Sequence, residues 1–276
     1  MTAAQKIIKY IANALAIFLT VTIIFSILSA GYGILIALGV INKQENNISE
    51  NLTTISDNIE EISTLKLDIK ASDLQIKNGE KFEVKTNNSN IKYLNENGKV
   101  SVKEEGAIKW YFGKNYDGTI IVYLPEDMKQ IEDVKIDIGA GTISIENLNT
   151  KKLYLELGAG NVTIDNMTVS EEMRLNGGAG NIEINSGKIA NADIDLGIGK
   201  TTIKSDFTGN SKIDTGIGEL NLDLTLPKED YKINVDKGIG EVRFNGKSIE
   251  DDTSIGNGTN YIKVSGGVGG INIKTE

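Results

Sequence analysis

The 276-residue chain contains neither cysteine nor histidine. The first absence removes any disulfide framework or thiolate metal site, and it is neutral about compartment. The second removes the commonest general base and metal ligand. Tryptophan occurs once, as Trp110, and aromatic residues make up 6% of the chain, so stacking platforms for sugars are few. There are two arginines, Arg174 and Arg243. No Walker loop is present.

Glycine, by contrast, is abundant and ordered. A Gly-x-Gly signal returns at Gly139/Gly141, Gly158/Gly160, Gly178/Gly180, Gly197/Gly199, Gly216/Gly218, Gly238/Gly240 and Gly267/Gly269. Subtracting successive first glycines gives steps of 19, 20, 19, 19, 22 and 29 residues. A fixed period near twenty residues marks a solenoid. After the second glycine the order is any residue, apolar, polar, apolar, as in Thr142-Ile143-Ser144-Ile145 and Asn161-Val162-Thr163-Ile164. Only Lys200-Thr201-Thr202-Ile203 softens the pattern, and threonine still suits a strand. Before the first glycine the alternation runs through Val134, Ile136 and Ile138, or Leu153, Leu155 and Leu157. Such alternation puts one face inside and one in water, so each repeat reads strand, glycine turn, strand, loop.

No coil of this kind is stable alone, because its few aliphatics release less free energy than ordering its backbone costs. Stacking must supply the rest. The expected fold is all-β: a single-stranded parallel β-helix with coils of about 19–20 residues, residues 134–276 forming the regular repeats. In it Ile143, Ile164 and Ile184 should lie one above another in a common core. The carboxyl end, with Lys274 and Glu276, should blunt the last edge.

The amino terminus differs in kind. Lys6 and Lys9 precede a charge-free run, and Ile11–Ile41 would extend about 46 Å as a helix against a hydrocarbon core of about 30 Å. The predicted organisation is a short cytoplasmic segment (1–10), one transmembrane α-helix (11–39) and a polar linker or short helical stalk (40–61). A cleavable signal peptide is the rival; the apolar run is too long for it, and Leu28-Ser29-Ala30 is a poor cleavage site. Lysines before the span place the amino terminus inside and the bulk outside, in contact with membrane lipid only through the span. Three of the 29 basic residues and no acids lie in 1–43, which leaves 26 basic against 38 acidic residues beyond, a net charge of −12. That balance argues against nucleic acid and against anionic headgroups.

In the stalk, Ile48, Leu52, Ile55, Ile59 and Ile62 fall at heptad spacing, too short a run for a coiled coil. Residues 62–133 keep strand character without the glycine beat, as Leu65–Ile69, Leu74–Lys77, Phe82–Thr86, Val100–Lys103, Ile108–Phe112 and Thr119–Leu124. Asn78-Gly79, Asn97-Gly98 and Asp117-Gly118 mark turns between them. This block is expected to be an irregular cap with the first coils, since a solenoid must cover its end.

Here the chain resembles the bacterial “putative adhesin” β-strand-repeat family, a domain of unknown function. The resemblance rests on Leu65-Lys-Leu-Asp-Ile69 with Leu74-Gln-Ile76, on Ile120-Ile-Val-Tyr-Leu-Pro125, and on the glycine repeats. Leu226-Pro227 before Tyr231-Lys-Ile-Asn-Val235 repeats the motif. It covers about 210 of the 276 residues. The single span is similar to that of membrane-anchored members of the Lia-type envelope-stress kind. The resemblance implies an extracytoplasmic domain with an envelope protein or cell-surface ligand as partner, and it implies no chemistry.

One column is suggestive of a cation site. Two residues before each first glycine stand Asp137, Glu156, Asn176, Asp195, Asp214, Asp236 and Ser265. Stacked about 4.8 Å apart, they form either a divalent-cation ladder or a solvated, screened row; the second reading is preferred. Gly177-Gly178-Ala179-Gly180 and Gly266-Gly267-Val268-Gly269 begin like calcium nonapeptides, but Ile182 and Ile271 occupy the aspartate place. Strand residues rather than a helix follow the glycines, so a dinucleotide site is excluded. A glycan-active β-helix enzyme would need a base and a basic groove. Arg174 and Arg243 stand on separate repeats, and Trp110, Tyr111, Phe112 and Tyr116 read as cap packing. No catalytic, cofactor or metal residue is assigned. The expected function is non-enzymatic: sensing, scaffolding or surface interaction, with an envelope-glycan enzyme and an end-to-end self-assembling solenoid as alternatives.

Overall fold

The fold was analysed in a computed structural model that describes residues 52–57, 59–105 and 118–276. The expected transmembrane segment 11–39, its flanks, and the Trp110, Tyr111, Phe112 and Tyr116 cluster lie outside the described residues. Among the described residues no helix is long and apolar enough to cross a membrane. The described residues form one parallel β-solenoid.

Each rung from residue 131 on turns at its glycine pair, and the two flanking strands form two walls of the stack. On the wall before the glycines, Leu175, Ile194, Ile213, Val264 and Val235 stand in one inward column. On the wall after them, Val162, Ile182, Thr201, Leu220, Ile271 and Val242 do the same. A shorter third wall stacks Val169, Ile189 and Phe207. Nearly all of these side chains are fully buried, and they belong to one continuous core. Alternation in sequence has therefore become a single aliphatic interior with polar residues outside.

The expected stack of Ile143, Ile164 and Ile184 is off by one step of the alternation. Ile164 does pair with Ile184. Ile143 follows Gly141 as Val162 follows Gly160, and those two glycines are stacked, so Ile143 shares the column of Val162 and Ile182. Its partner on the other side is Leu74.

Two ends of the stack depart from chain order. Strands Thr64–Ile69 and Asp73–Gly79 do not form the outermost rung. They lie between the regular rung 131–145 and an outer rung made later in the chain by Lys99–Glu104 and Thr119–Pro125. Glu83–Thr86 and Ile91–Glu96 then close that outer rung with antiparallel pairing. The Asn97-Gly98 turn joins Ile91–Glu96 to Lys99–Glu104, with φ of 52° and 79° at its two residues, as a tight hairpin requires. Block 62–133 thus supplies two whole rungs as well as the cap.

The same arrangement recurs at the other end. Asn260–Ser265 inserts between Asn210–Asp214 and Tyr231–Asp236. Val268–Thr275 inserts between Ile217–Leu224 and Val242–Phe244. Lys274 therefore does not blunt an edge; it stands on an interior rung, in register with Asp223. The outermost strands here are the short antiparallel Lys247–Ser248 and Thr253–Ile255. The helical-stalk expectation also fails from Thr53 on: Thr53–Thr54 pairs with Thr86 and Lys85, and Ile62 is buried. Ile55 and Ile59, read as heptad positions, pack against the β core instead.

Candidate functional site

The glycine corner is where sequence, geometry and exposure converge. A Cβ on Gly158 would lie 2.1 Å from the carbonyl oxygen of Gly139 in the rung beside it. At Gly160 the added atom would meet the Gly141 oxygen at 1.8 Å, and the backbone has φ of 146°. Only a residue without a side chain fits either place. Two bare backbone lines therefore run along the stack, and between them projects the middle residue of each Gly-x-Gly.

Those middle residues form a ridge. Ala159 pairs with Ala179 and Ala179 with Ile198. The line continues through Ile217 and Val268 to Ile239. Four large aliphatics in a row span about 14 Å at the usual strand spacing. Ile198 is 42% exposed, Val268 47% and Ile239 60%; the other exposed large aliphatic among the described residues, Leu94, lies at the opposite end. Sequence reasoning attended to the glycines and missed this ridge, although the change from alanine to Ile198, Ile217, Ile239 and Val268 was in plain view.

The acidic column is real as a column and different in content. Its order in space is Asp68, Asp137, Glu156, Asn176, Asp195, Asp214, Ser265 and Asp236. Ser265 separates Asp214 from Asp236, and Asp68 belongs to the row unforeseen. Two residues upstream stands a mostly basic row that Asp193 interrupts: Lys66 beside Lys135, Arg174 beside Asp193, then Lys212 and Lys263. Lys212 pairs with Asp214, Lys263 with Asp236 at 2.9 Å, and Lys103 with Asp68 at 3.3 Å. Burial pushes Asp214 up, but hydrogen bonds from Lys212 and Ser265 outweigh it and hold the carboxyl below its ordinary value. Among the described residues no group of three or more acidic side chains is placed to hold a metal. Arg174 is engaged by Glu172 at 2.7 Å and lies over the Tyr154 ring, and Arg243 is engaged by Glu241 at 2.9 Å. The two arginines stand on different walls of the solenoid.

A buried carboxylate was also missed. Glu104 is 2% exposed and sits where the outer rung leaves the stack. It accepts hydrogen bonds from the amides of Lys70, Ala71 and Ser72 at 2.8, 2.9 and 3.1 Å, from Ser72 Oγ at 3.1 Å and from Asn88 Nδ2 at 2.9 Å. Lys70, Ala71 and Ser72 occupy the corner positions that Gly139, Ala140 and Gly141 hold in the next rung. At this corner the carboxylate takes the amides that a neighbouring rung's carbonyls take elsewhere, as Gly158 does for Ala179. Burial pushes Glu104 up, and the amides of Ala71, Ser72 and Lys70 outweigh it, so the group stays ionised below the usual carboxylate range. The sequence signal was an acid in the inward phase of Val100, Val102, Glu104.

Comparison with known proteins adds a family. The family described as Toastrack DUF4097 matches residues 53–262. No curated protein matches the chain. Among solved structures, one titled a putative cell adhesion protein from Clostridium sporogenes is 21% identical, with 82% of this chain and 98% of that one covered and a TM-score of 0.39. One titled a putative adhesin from Bacteroides fragilis is 15% identical, covering 83% and 98%, with a TM-score of 0.29. Another titled a putative adhesin, from Parabacteroides merdae, is 12% identical, covering 83% and 97%, with a TM-score of 0.35.

Proposed function

The chain belongs to the Toastrack DUF4097 family, and on that premise we propose that it is a non-enzymatic binding and scaffolding protein of the cell envelope. In this reading the apolar run 11–39 anchors it in the membrane as a single pass, and the acidic solenoid stands outside the cell. There it engages an envelope or surface protein, in adhesion or in envelope-stress sensing. The observation that carries the reading is the ridge of Ile198, Ile217, Val268 and Ile239 between two bare glycine lines.

The chemistry of the ridge selects its partner. It is aliphatic, and the acidic residues around it include Asp214, Asp236 and Glu241, each already paired with lysine or arginine. With a net charge of −12 beyond residue 43, the domain repels nucleic acid and anionic lipid. A protein with an apolar seat is what remains favourable. Four side chains cover much less than a standard interface of about 800 Å² per partner, so the contact is transient unless the flanking walls join it.

Site-specific photocrosslinking in cells tests this. A photoreactive residue at Ile198 or Ile239 should give one discrete protein adduct, and the same residue at Tyr154 on the charged wall should not. Equal adducts at all three positions, or none at the ridge, would contradict it. Protease treatment of intact cells tests the topology: the solenoid should be digested while a cytoplasmic marker survives. A solenoid that stays intact until the cells are opened would place it on the wrong side.

A further inference from the structure

We propose that rung 260–275 is an exchangeable element, able to leave its slot and occupy the same slot in a second copy of this chain. The slot is defined on both walls. Ser211, Lys212 and Ile213 pair with Ile262, Lys263 and Val264, whose other partners are Ile233, Asn234 and Val235. Leu220, Asn221 and Leu222 pair with Ile271, Asn272 and Ile273, whose other partners are Val242, Arg243 and Phe244. The rung is thus an insert between two stretches that follow one another in the chain.

Those two stretches match each other without it. Ser211 and Ile213 share an inward phase with Ile233 and Val235, as Leu220 and Leu222 do with Val242 and Phe244. The corners Gly216/Gly218 and Gly238/Gly240 stand in the same register. If 260–275 leaves, the gap closes onto an ordinary step of the repeat, so the open chain keeps no raw sheet edge inside the stack. The same sequence therefore has two packings that satisfy one pattern, with and without the insert.

The connection permits the exchange. Residues 245–259 are mostly exposed and hold only the short strands Lys247–Ser248 and Thr253–Ile255. Asn245, Gly246, Asp252 and Gly256 have positive φ, which divides the segment into separate turns. Fully extended, fifteen residues reach about 50 Å, enough to pass from one copy to another. In the exchanged dimer Ile262, Val264, Ile271 and Ile273 bury against the same columns they bury against now. Contacts are conserved, and only the connection changes, which is why such swaps come at low free-energy cost.

The absence of cysteine makes the test clean. Asn221 and Asn272 are register partners on a wet face, with Asn272 Nδ2 donating to Asn221 Oδ1 at 3.0 Å. Full-length N221C and N272C chains in detergent are mixed, warmed and oxidised. A disulfide-linked heterodimer is expected at more than ten times the yield of a control mixture of N272C with T163C, whose site is on the same wall but rungs away. The N221C/N272C double variant should close an internal disulfide, and once closed should no longer exchange. If the double variant oxidises fully while the mixture stays monomeric, or yields no more dimer than the control, the proposal is overturned.

Discussion

Compare the middle of the solenoid with its two ends. Between residues 131 and 224 the order of rungs in space is the order in the chain, and the turn between the two longer walls is a glycine pair in every rung. At the ends the order is broken: rung 64–79 lies inside rung 99–125, and rung 260–275 lies inside rung 231–244. The middle is held by backbone approach that tolerates no side chain. The ends are held by devices found nowhere else among the described residues, the Glu104 carboxylate at one and short antiparallel strands at both. Repetition builds the rod, and local chemistry finishes it.

The largest effect should come from breaking the middle at its tightest point. Gly160→Val puts a branched side chain where even one carbon would sit 1.8 Å from the Gly141 oxygen, at φ 146°. The rungs on either side must part, and the domain should fail to fold or lose more than about 4 kcal/mol in chemical denaturation. At the capped end, Gly246→Ala meets nothing within 4 Å and has only its φ of 77° against it. It should cost about 1 kcal/mol. Similar losses for the two would remove the distinction between middle and end.

An intermediate effect is expected at the amino-terminal end. Glu104→Ala leaves three amides, Ser72 Oγ and Asn88 without their shared acceptor. It should cost roughly 2–4 kcal/mol. Because the folded carboxyl is held low, its contribution is complete above the ordinary glutamate pKa and is lost as pH falls through the folded value. Wild-type protein should therefore show an acid-side loss of stability that is reduced in Glu104→Gln. An unchanged acid limb in that variant would remove the carboxylate from this role.

The smallest effect on stability should be on the ridge. Ile198→Asn and Ile239→Asn act on side chains that are 42% and 60% exposed. Each should shift the unfolding free energy by no more than about 0.5–1 kcal/mol while removing the photocrosslinked partner. A large loss of stability would make the ridge structural.

How much of this was legible follows from what a repeat encodes. The glycine pairs gave the corners, and the alternation gave the inward residues, including Thr201, which takes its place between Ile182 and Leu220. A repeat fixes register within a coil but not which coil is its neighbour. Gly216 could stack on Gly238 or on Gly267 with equal satisfaction of the pattern, and it stacks on Gly267. The corner at Lys70-Ala71-Ser72 carried no glycine signal because its amides are served by a side chain rather than by a facing rung. The heptad spacing of Ile55 and Ile59 misled because extended chain packed on a core also places an apolar residue every few positions.

The order of rungs at the carboxyl end is the claim most open to direct measurement. Lys212 has Lys263 as its register partner, and Lys263 in turn has Asn234, so Lys212 and Asn234 are two strand spacings apart, about 9.6 Å. Oxidised K212C/K263C should form an intrachain disulfide, and K212C/N234C should not, since a bridge cannot span more than about 7 Å between Cα atoms. The reverse result, with 212 bridging 234 and not 263, would restore chain order and contradict the account.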